Sequence, residues 1–311
     1  MKLIIPKFWH QKTILSILLL PLSFLYRAVI FLCSKKNIYL PKAKIITIGN
    51  ITIGGAGKTP VAISLINILQ SHKVAILTRG YKGELKGPVI VNSTHDVFAV
   101  GDEALLLAKH STTCVAKDRL KGIKFLESLG YDIIITDDGM QDSRFIKSLT
   151  ILVVDSYFGF GNEFVFPAGP LRETLKNGFE KADLMAVIGV GKFKLDTTIP
   201  VIRGNLKGQQ DLNAQKFIAF AGIGNPLKFF YSVTLSGGNI VKQIAFGDHH
   251  QYTEKELEEL IELAKKNKAN LITTEKDYVR ISDKYKDKIQ VLSVKLEWND
   301  EAKLQQKLLN L

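Results

Sequence analysis

The segment from residue 43 to residue 70 constrains the fold most. "AKIITIGN" (43–50) is an apolar, β-branched run of strand character. "ITIGGAGK" (51–58) is a glycine-rich turn. "TPVAISLINILQ" (59–70) has apolar residues at 61, 62, 65, 66 and 69, the period of a helix with one buried face. A buried strand that passes through glycines into a helix is a building block of a parallel sheet covered by helices.

The pattern repeats downstream. Strands are expected at "KVAILTRG" (73–80), "GPVIV" (87–91), "TTCVA" (112–116), "YDIIITDDGMQD" (131–142), "LTILVVD" (149–155), "ADLMAVIGV" (182–190) and "IPVIRG" (199–204). Helices are expected at 102–110 and 118–129. The strands have no polar face, so both sides of the sheet must be covered. After "RGNLKGQQDLN", which reads as a linker, the pattern restarts. "KFIAFAGIGNP" (216–226) is a strand turning into a helix, "TEKELEELIELAKKNKA" (253–269) an amphipathic helix, and "NLITTEKD" and "IQVLSVKLEW" are strands. The expected fold is therefore α/β: a mostly parallel, P-loop kinase-like sheet at 37–205 and a smaller α/β domain at 206–311. An apolar helix at 1–36 precedes them.

The loop carries chemistry. Gly57-Lys58-Thr59 ends it as a phosphate-binding loop ends, although Thr52 stands where G-x-x-x-x-G-K-[ST] has its first glycine. Thr52, Ile53, Gly54, Gly55, Ala56, Gly57, Lys58 and Thr59 form the expected nucleotide-binding set. Gly54, Gly55 and Gly57 permit positive φ angles that aim backbone N–H groups at phosphate oxygens. Lys58 can reach the β and γ phosphates, Thr59 can ligate Mg²⁺, and Pro60 is tolerated in the first helical turn. The "DIIIT" run ends in Asp137-Asp138, as a metal-side strand of such a fold does. No Asn/Thr-Lys-x-Asp guanine reader is present; "TEKD" (274–277) has its lysine one place out. ATP is the expected nucleotide. Arg79, Lys82, Asp102, Glu103, Arg119, Arg172, Glu173, Asp248, His249 and His250 are the remaining polar groups at strand ends and loops. Phosphoryl transfer needs such parts, a carboxylate to take the hydroxyl proton and cations to offset moving charge.

Charge adds a second theme. The net charge is +12, and the first 83 residues hold 12 basic residues and no acidic one. "ILSILLLPLSFLYRAVIFLC" (14–33) lies in this region and is interrupted only by Pro21 and Arg27. No small-residue cleavage site follows it. Its length allows a spanning helix, but the internal Arg27 and flanking lysines favour a helix lying in an anionic membrane surface, with Phe8, Trp9 and Tyr26 near the headgroups. The basic region lacks the interleaved polar residues of nucleic-acid readers, so nucleic acid is not an expected partner. No obligate protein partner is inferred. Two isolated cysteines, Cys33 and Cys114, form neither a disulfide framework nor a zinc spacing.

Taken in order, "GNITIGGAGKTP", "TRGYKG", "VGDEA", "DDGMQ", "PAGPLRE", "FGDHHQY" and "TTEKDYVR" resemble the tetraacyldisaccharide 4′-kinases of lipid A biosynthesis. That family's loop also lacks the first glycine. It often has Gly-Arg after the tyrosine where this chain has Lys82-Gly83. The resemblance implies an ATP- and Mg²⁺-dependent kinase on the cytoplasmic face of the inner membrane, acting on the 4′-hydroxyl of a lipid disaccharide 1-phosphate to give lipid IVA. It implies Asp102 as base, coupled to His249 from the second domain beside Asp248. It further implies Mg²⁺ on Thr59 with Asp138 or Glu103, next to Asp137, and Arg119 and Arg172 near phosphate. From the residues alone, a membrane-associated P-loop regulatory or partitioning ATPase is the alternative, and a scaffold with an inert nucleotide fold is another.

Overall fold

The computed structural model describes residues 6–32, 38–193 and 197–309. Among the described residues, thirteen strands form two sheets: β1 (Lys44–Gly49), β2 (Val74–Thr78), β3 (Val89–Ile90), β4 (Thr112–Val115), β5 (Ile133–Asp137), β6 (Leu149–Asp155), β7 (Leu184–Ile188), β8 (Val201–Gly208), β9 (Lys216–Ala221), β10 (Asn239–Ala245), β11 (Asn270–Thr274), β12 (Ile289–Leu292) and β13 (Val294–Trp298). The larger sheet has the order β13-β8-β7-β6-β1-β5-β2-β4-β3. It is parallel except at its edges, where β3 and β13 run antiparallel to their neighbours. The smaller sheet, β10-β9-β11-β12, is parallel throughout.

Apolar residues on both faces of the strands explain the layering. Ile46, Ile48 and Ile135 face a core closed by Val61, Leu65 and Ile66 of the helix Lys58–Ile68. Ile45, Ile134 and Leu77 face the opposite side, where Ile123 and Leu126 of the helix Arg119–Ser128 cover them. In the smaller sheet, Phe217 packs on Phe229, Phe230 and Val233, while Ile218 and Phe220 pack on Leu257 and Leu260 of the helix Glu254–Lys266.

Three features depart from the sequence reading. The stretch read as a linker continues as β8 through Gly208, so position 205 falls inside a strand. From Val294 the chain returns to the larger sheet: β13 pairs with β8, and Leu304 and Leu308 of the helix Glu301–Leu309 enter the core beside the phosphate-loop helix. β8 can accept polar residues because its burial alternates and an antiparallel neighbour covers it. β10 is exposed except at the half-buried Ile240 and Ile244, so an edge strand of mixed polarity gave no apolar signal.

The N-terminal apolar segment is two helices, Ile14–Leu18 and Leu20–Leu32. Among the described residues no helix is long and apolar enough to cross a membrane. The longer helix has 13 residues and extends about 20 Å, against a hydrocarbon core of ~30 Å. Its attachment corrects one expectation. Trp9 is buried, not presented outward, because its indole N–H donates to the Pro167 carbonyl at 3.1 Å. Tyr26 packs edge-on against Phe166, and the Ser23 hydroxyl donates to the Val165 carbonyl at 2.7 Å. The opposite side exposes Ile14, Leu18, Leu22, Phe24 and Leu25. Cys33 lies outside the described residues.

Candidate active site

The site lies at the carboxyl ends of β1 and β5, central neighbours in the larger sheet, which is where open α/β sheets present loops to ligands. β1 delivers Asn50. Its amide N–H group donates to the carbonyls of Thr52 and Gly54 (2.7 and 3.3 Å), and its oxygen accepts from Lys58 Nζ at 3.1 Å. Thr52 needs no glycine freedom: it is 8% exposed and forms an antiparallel bridge with Leu171. The amide of Ile53 donates to the Pro170 carbonyl at 2.8 Å, so a neighbouring loop shapes this turn from outside. Gly54 and Gly57 do adopt positive φ, 121° and 92°, whereas Gly55 does not. A Cβ at Gly55 would meet nothing within 4 Å, because that residue borders open space.

That space is a cavity of about 310 Å³ between the two sheets. Gly55, Ala56, Gly57, Lys58, Thr59 and Glu103 line it from the larger sheet. Gly224, Asn225, Lys228, Thr274 and Lys276 line it from the smaller one. Of the expected nucleotide set, Gly55 to Thr59 reach the cavity wall, and Thr52, Ile53 and Gly54 form the support behind it.

Asp137 and Asp138 close β5 in different states. Asp138 sits at φ 53°, a left-handed conformation that aspartate tolerates better than most residues. Its carboxylate accepts two hydrogen bonds from Arg172, at 3.0 and 2.8 Å, and lies 3.4 Å from Lys58 Nζ. Burial pushes its pKa up, but Lys58, Arg172 and Arg119 outweigh that and hold it at about 2. Asp137 is 4% exposed and its Oδ1 has no hydrogen-bond partner. Burial first, and then the nearby Glu103 carboxylate, push its pKa up to about 7. Arg119 is buried beneath both, donating to the backbone carbonyls of Asp137 and Asp138. It shapes the acidic turn from below.

The second cluster crosses the cleft. Asp102 begins the helix Asp102–Ala108, after Gly101 at φ 87°, where a Cβ would come within 2.4 Å of the Tyr81 carbonyl. Asp102 is 2% exposed, and its Oδ2 lies 2.8 Å from His249 Nδ1 and 3.4 Å from Arg280 Nε. Burial would raise its pKa, but the His249 hydrogen bond, Lys276 and Arg280 prevail and hold it below the usual carboxylate range. His249 itself has φ 57°, with Asp248 at 3.8 Å from Nε2 and the Tyr81 ring 5.2 Å away. Such backbone angles persist only where the surroundings impose them.

Four residues escaped the sequence reading. Lys276 pairs with Glu103 at 2.9 Å and lies 3.5 Å from His249 Nε2. Arg280, its side chain fully buried, bonds the Gly222 and His250 carbonyls and Asp277, thereby fixing the turn that presents His249. Asn50 is the third. Lys276 and Arg280 stood within "TTEKDYVR", but only the fold brings that stretch against Asp102 and Glu103. Lys117, also unremarked, holds the Gly80 and Gly83 carbonyls at 2.8 and 2.9 Å and so fixes the "TRGYKG" loop.

A phosphate loop at the switch between sheet and helix, an acidic second strand and a base-like Asp–His pair define a P-loop phosphotransferase. The comparisons narrow the class. The sequence profile of the tetraacyldisaccharide-1-P 4′-kinases matches residues 15–311, and the chain belongs to that family. Proteins named tetraacyldisaccharide 4′-kinase are similar over nearly the whole chain. The one from Rickettsia bellii is 38% identical, covering 99% of this chain and 98% of its own. The one from Paramagnetospirillum magneticum is 41% identical, covering 94% of each. The crystal structure of LpxK from Aquifex aeolicus in complex with ATP matches with a TM-score of 0.78 at 28% identity, covering 96% of this chain and 99% of that one.

Proposed function

We propose that this protein transfers the γ-phosphoryl group of ATP to the 4′-hydroxyl of a tetraacyldisaccharide 1-phosphate, giving lipid IVA. The observation that carries the reading is the Asp102–His249 pair at 2.8 Å, drawn from the two sheets and set beside the phosphate-loop cavity. A hydrolytic switch needs no second-body partner for its carboxylate. An acceptor kinase does, because a base completed across the cleft limits wasteful transfer to water. Family membership favours the kinase over the regulatory ATPase.

Asp102 takes the proton of the attacking hydroxyl. His249 donates from Nδ1 and fixes the carboxylate's orientation. As the acceptor oxygen bonds to Pγ, the bond from Pγ to the β-bridging oxygen breaks and ADP leaves. Lys58 and the loop amides hold the β and γ phosphates, and Arg172 sits within reach of charge moving onto them. The residues also suit Mg²⁺: the deeply buried Asp137 Oδ1 has no hydrogen-bond partner, and Thr59 lies in the first turn of the phosphate-loop helix and on the cavity wall. Thr59 and Asp137 would hold the ion, with Glu103 and Asp138 near it but already paired to Lys276 and Arg172. Bound there, magnesium would neutralise negative charge on the nucleotide phosphates.

The enzyme works at the cytoplasmic face of the inner membrane, seated by the exposed side of its N-terminal helices. Their apolar side chains and the acid-free basic region around them support this. Mass spectrometry of the lipid after incubation with ATP and Mg²⁺ tests the reaction. One added phosphate at the 4′ position is expected; an unchanged lipid with ATP consumed would favour the regulatory ATPase.

A further inference from the structure

A further cation–carboxylate contact crosses between the sheets, away from Asp102 and Glu103. Lys228 lies on the helix Pro226–Leu235 of the smaller body, whose Phe229, Phe230 and Val233 are buried in that body's core. Lys228 points the other way. It lines the cavity beside Gly224 and Asn225, and its ammonium pairs with Asp155 Oδ2. Asp155 ends β6, the strand next to β1, whose end carries the phosphate loop. The pair is largely shielded: the side chains are 25% and 8% exposed.

The carboxylate is set in advance. Asp155 Oδ1 accepts from the amides of Tyr157 and Phe158, at 2.8 and 3.1 Å, which leaves Oδ2 for the lysine. The lysine also stands 5.9 Å over the Tyr157 ring. A residue serving only to cap its own turn needs no partner from another sheet. A lysine serving only the nucleotide needs no prearranged carboxylate.

We infer that Lys228 and Asp155 form a latch that holds the smaller body over the phosphate-loop cavity and thereby sets how tightly nucleotide is retained. The inference rests on the ATP reading above, and it makes Lys228 and Asp155 positioning residues. Breaking a shielded charge pair between two bodies lowers the closed population, and apparent affinity falls in proportion.

The test compares Lys228→Met, Asp155→Asn and the double variant in full-length protein, by ATP binding and by steady-state transfer. Asparagine keeps the Oδ1 acceptor of the turn, and methionine keeps the apolar stem. Each single variant is expected to raise the Kd and KM for ATP on the order of tenfold, with kcat lowered less than about threefold, and the double variant should be no worse than either single. If Lys228→Met alone weakens binding, the lysine contacts nucleotide and the latch is wrong. If Asp155→Asn binds ATP as wild type does and an added Asp155→Ala control does not, the aspartate is a turn cap and the latch is again wrong. Additive losses would also overturn it. Wild-type protein that binds ATP yet makes no phospholipid would count against the kinase reading, leaving the latch judged by binding alone.

Discussion

Single residues carry the chemistry, and their geometry gives the sharpest expectations. Asp102 is held by His249 and Arg280. Asp102→Asn should lower kcat by at least 10²-fold, the scale of a lost general base. His249→Ala should lower kcat by roughly tenfold or more with KM for ATP little changed, because the role proposed for it is to orient the base, not to bind nucleotide. Near-normal transfer by His249→Ala would remove it from the mechanism. Asp142, nearby, has a structural role with a pH signature. Burial opposes its ionisation, but two hydrogen bonds from Arg144 outweigh this and lower its pKa. A depressed folded pKa stabilises above the unfolded value and loses that contribution as pH falls through the folded one. Asp142→Asn should therefore cost about 2 kcal/mol at pH 7 and almost nothing at strongly acid pH, as followed by denaturant unfolding. An equal cost at both pH values would contradict the ion pair.

Elements explain what was legible in advance. Strands β1, β2, β5, β6 and β7 are buried over most of their length, so apolar runs announced them. The phosphate loop was legible because its backbone geometry demands particular residues. Gly57 at φ 92° is one: Gly57→Ala should destabilise by about 1–2 kcal/mol, read by thermal unfolding, and weaken ATP binding. Thr52 was only half legible, since what replaces the glycine turn is a bridge to Leu171, 119 residues on. Trp9 was misread for a related reason. An aromatic beside a basic apolar segment suits a membrane surface, but the Pro167 carbonyl claimed its N–H and the indole is buried. The exposed helix side is the surface proposed to meet lipid. Replacing Leu18, Leu22 and Leu25 together by serine should leave unfolding unchanged and reduce binding to anionic vesicles at least tenfold, at about 1–2 kcal/mol per leucine inserted. Unaltered flotation with such vesicles would reject that surface.

At the scale of the molecule, function comes from two sheets meeting over one cavity. Their contact is made by charged and polar side chains: His249 and Arg280 on Asp102, Lys276 on Glu103, Lys228 on Asp155. Apart from Asp102–His249, which the family resemblance implied, such pairs were not legible as partners, because Lys276 and Glu103 are 173 residues apart and no local period links them. The return of β13 to the larger sheet was equally hidden. "VKLEW" has strand character, but its neighbour is chosen by tertiary packing. The same arrangement underlies the proposed mechanism: a base completed across the cleft should direct phosphate to an acceptor and spare water. The direct measurement is the fate of γ-labelled phosphate, in detergent with Mg²⁺ and the tetraacyldisaccharide 1-phosphate. Wild-type protein should move label into lipid in near-equal amount to the ATP consumed, and Asp102→Asn should not. Label released as free phosphate, with none in lipid, would contradict the account.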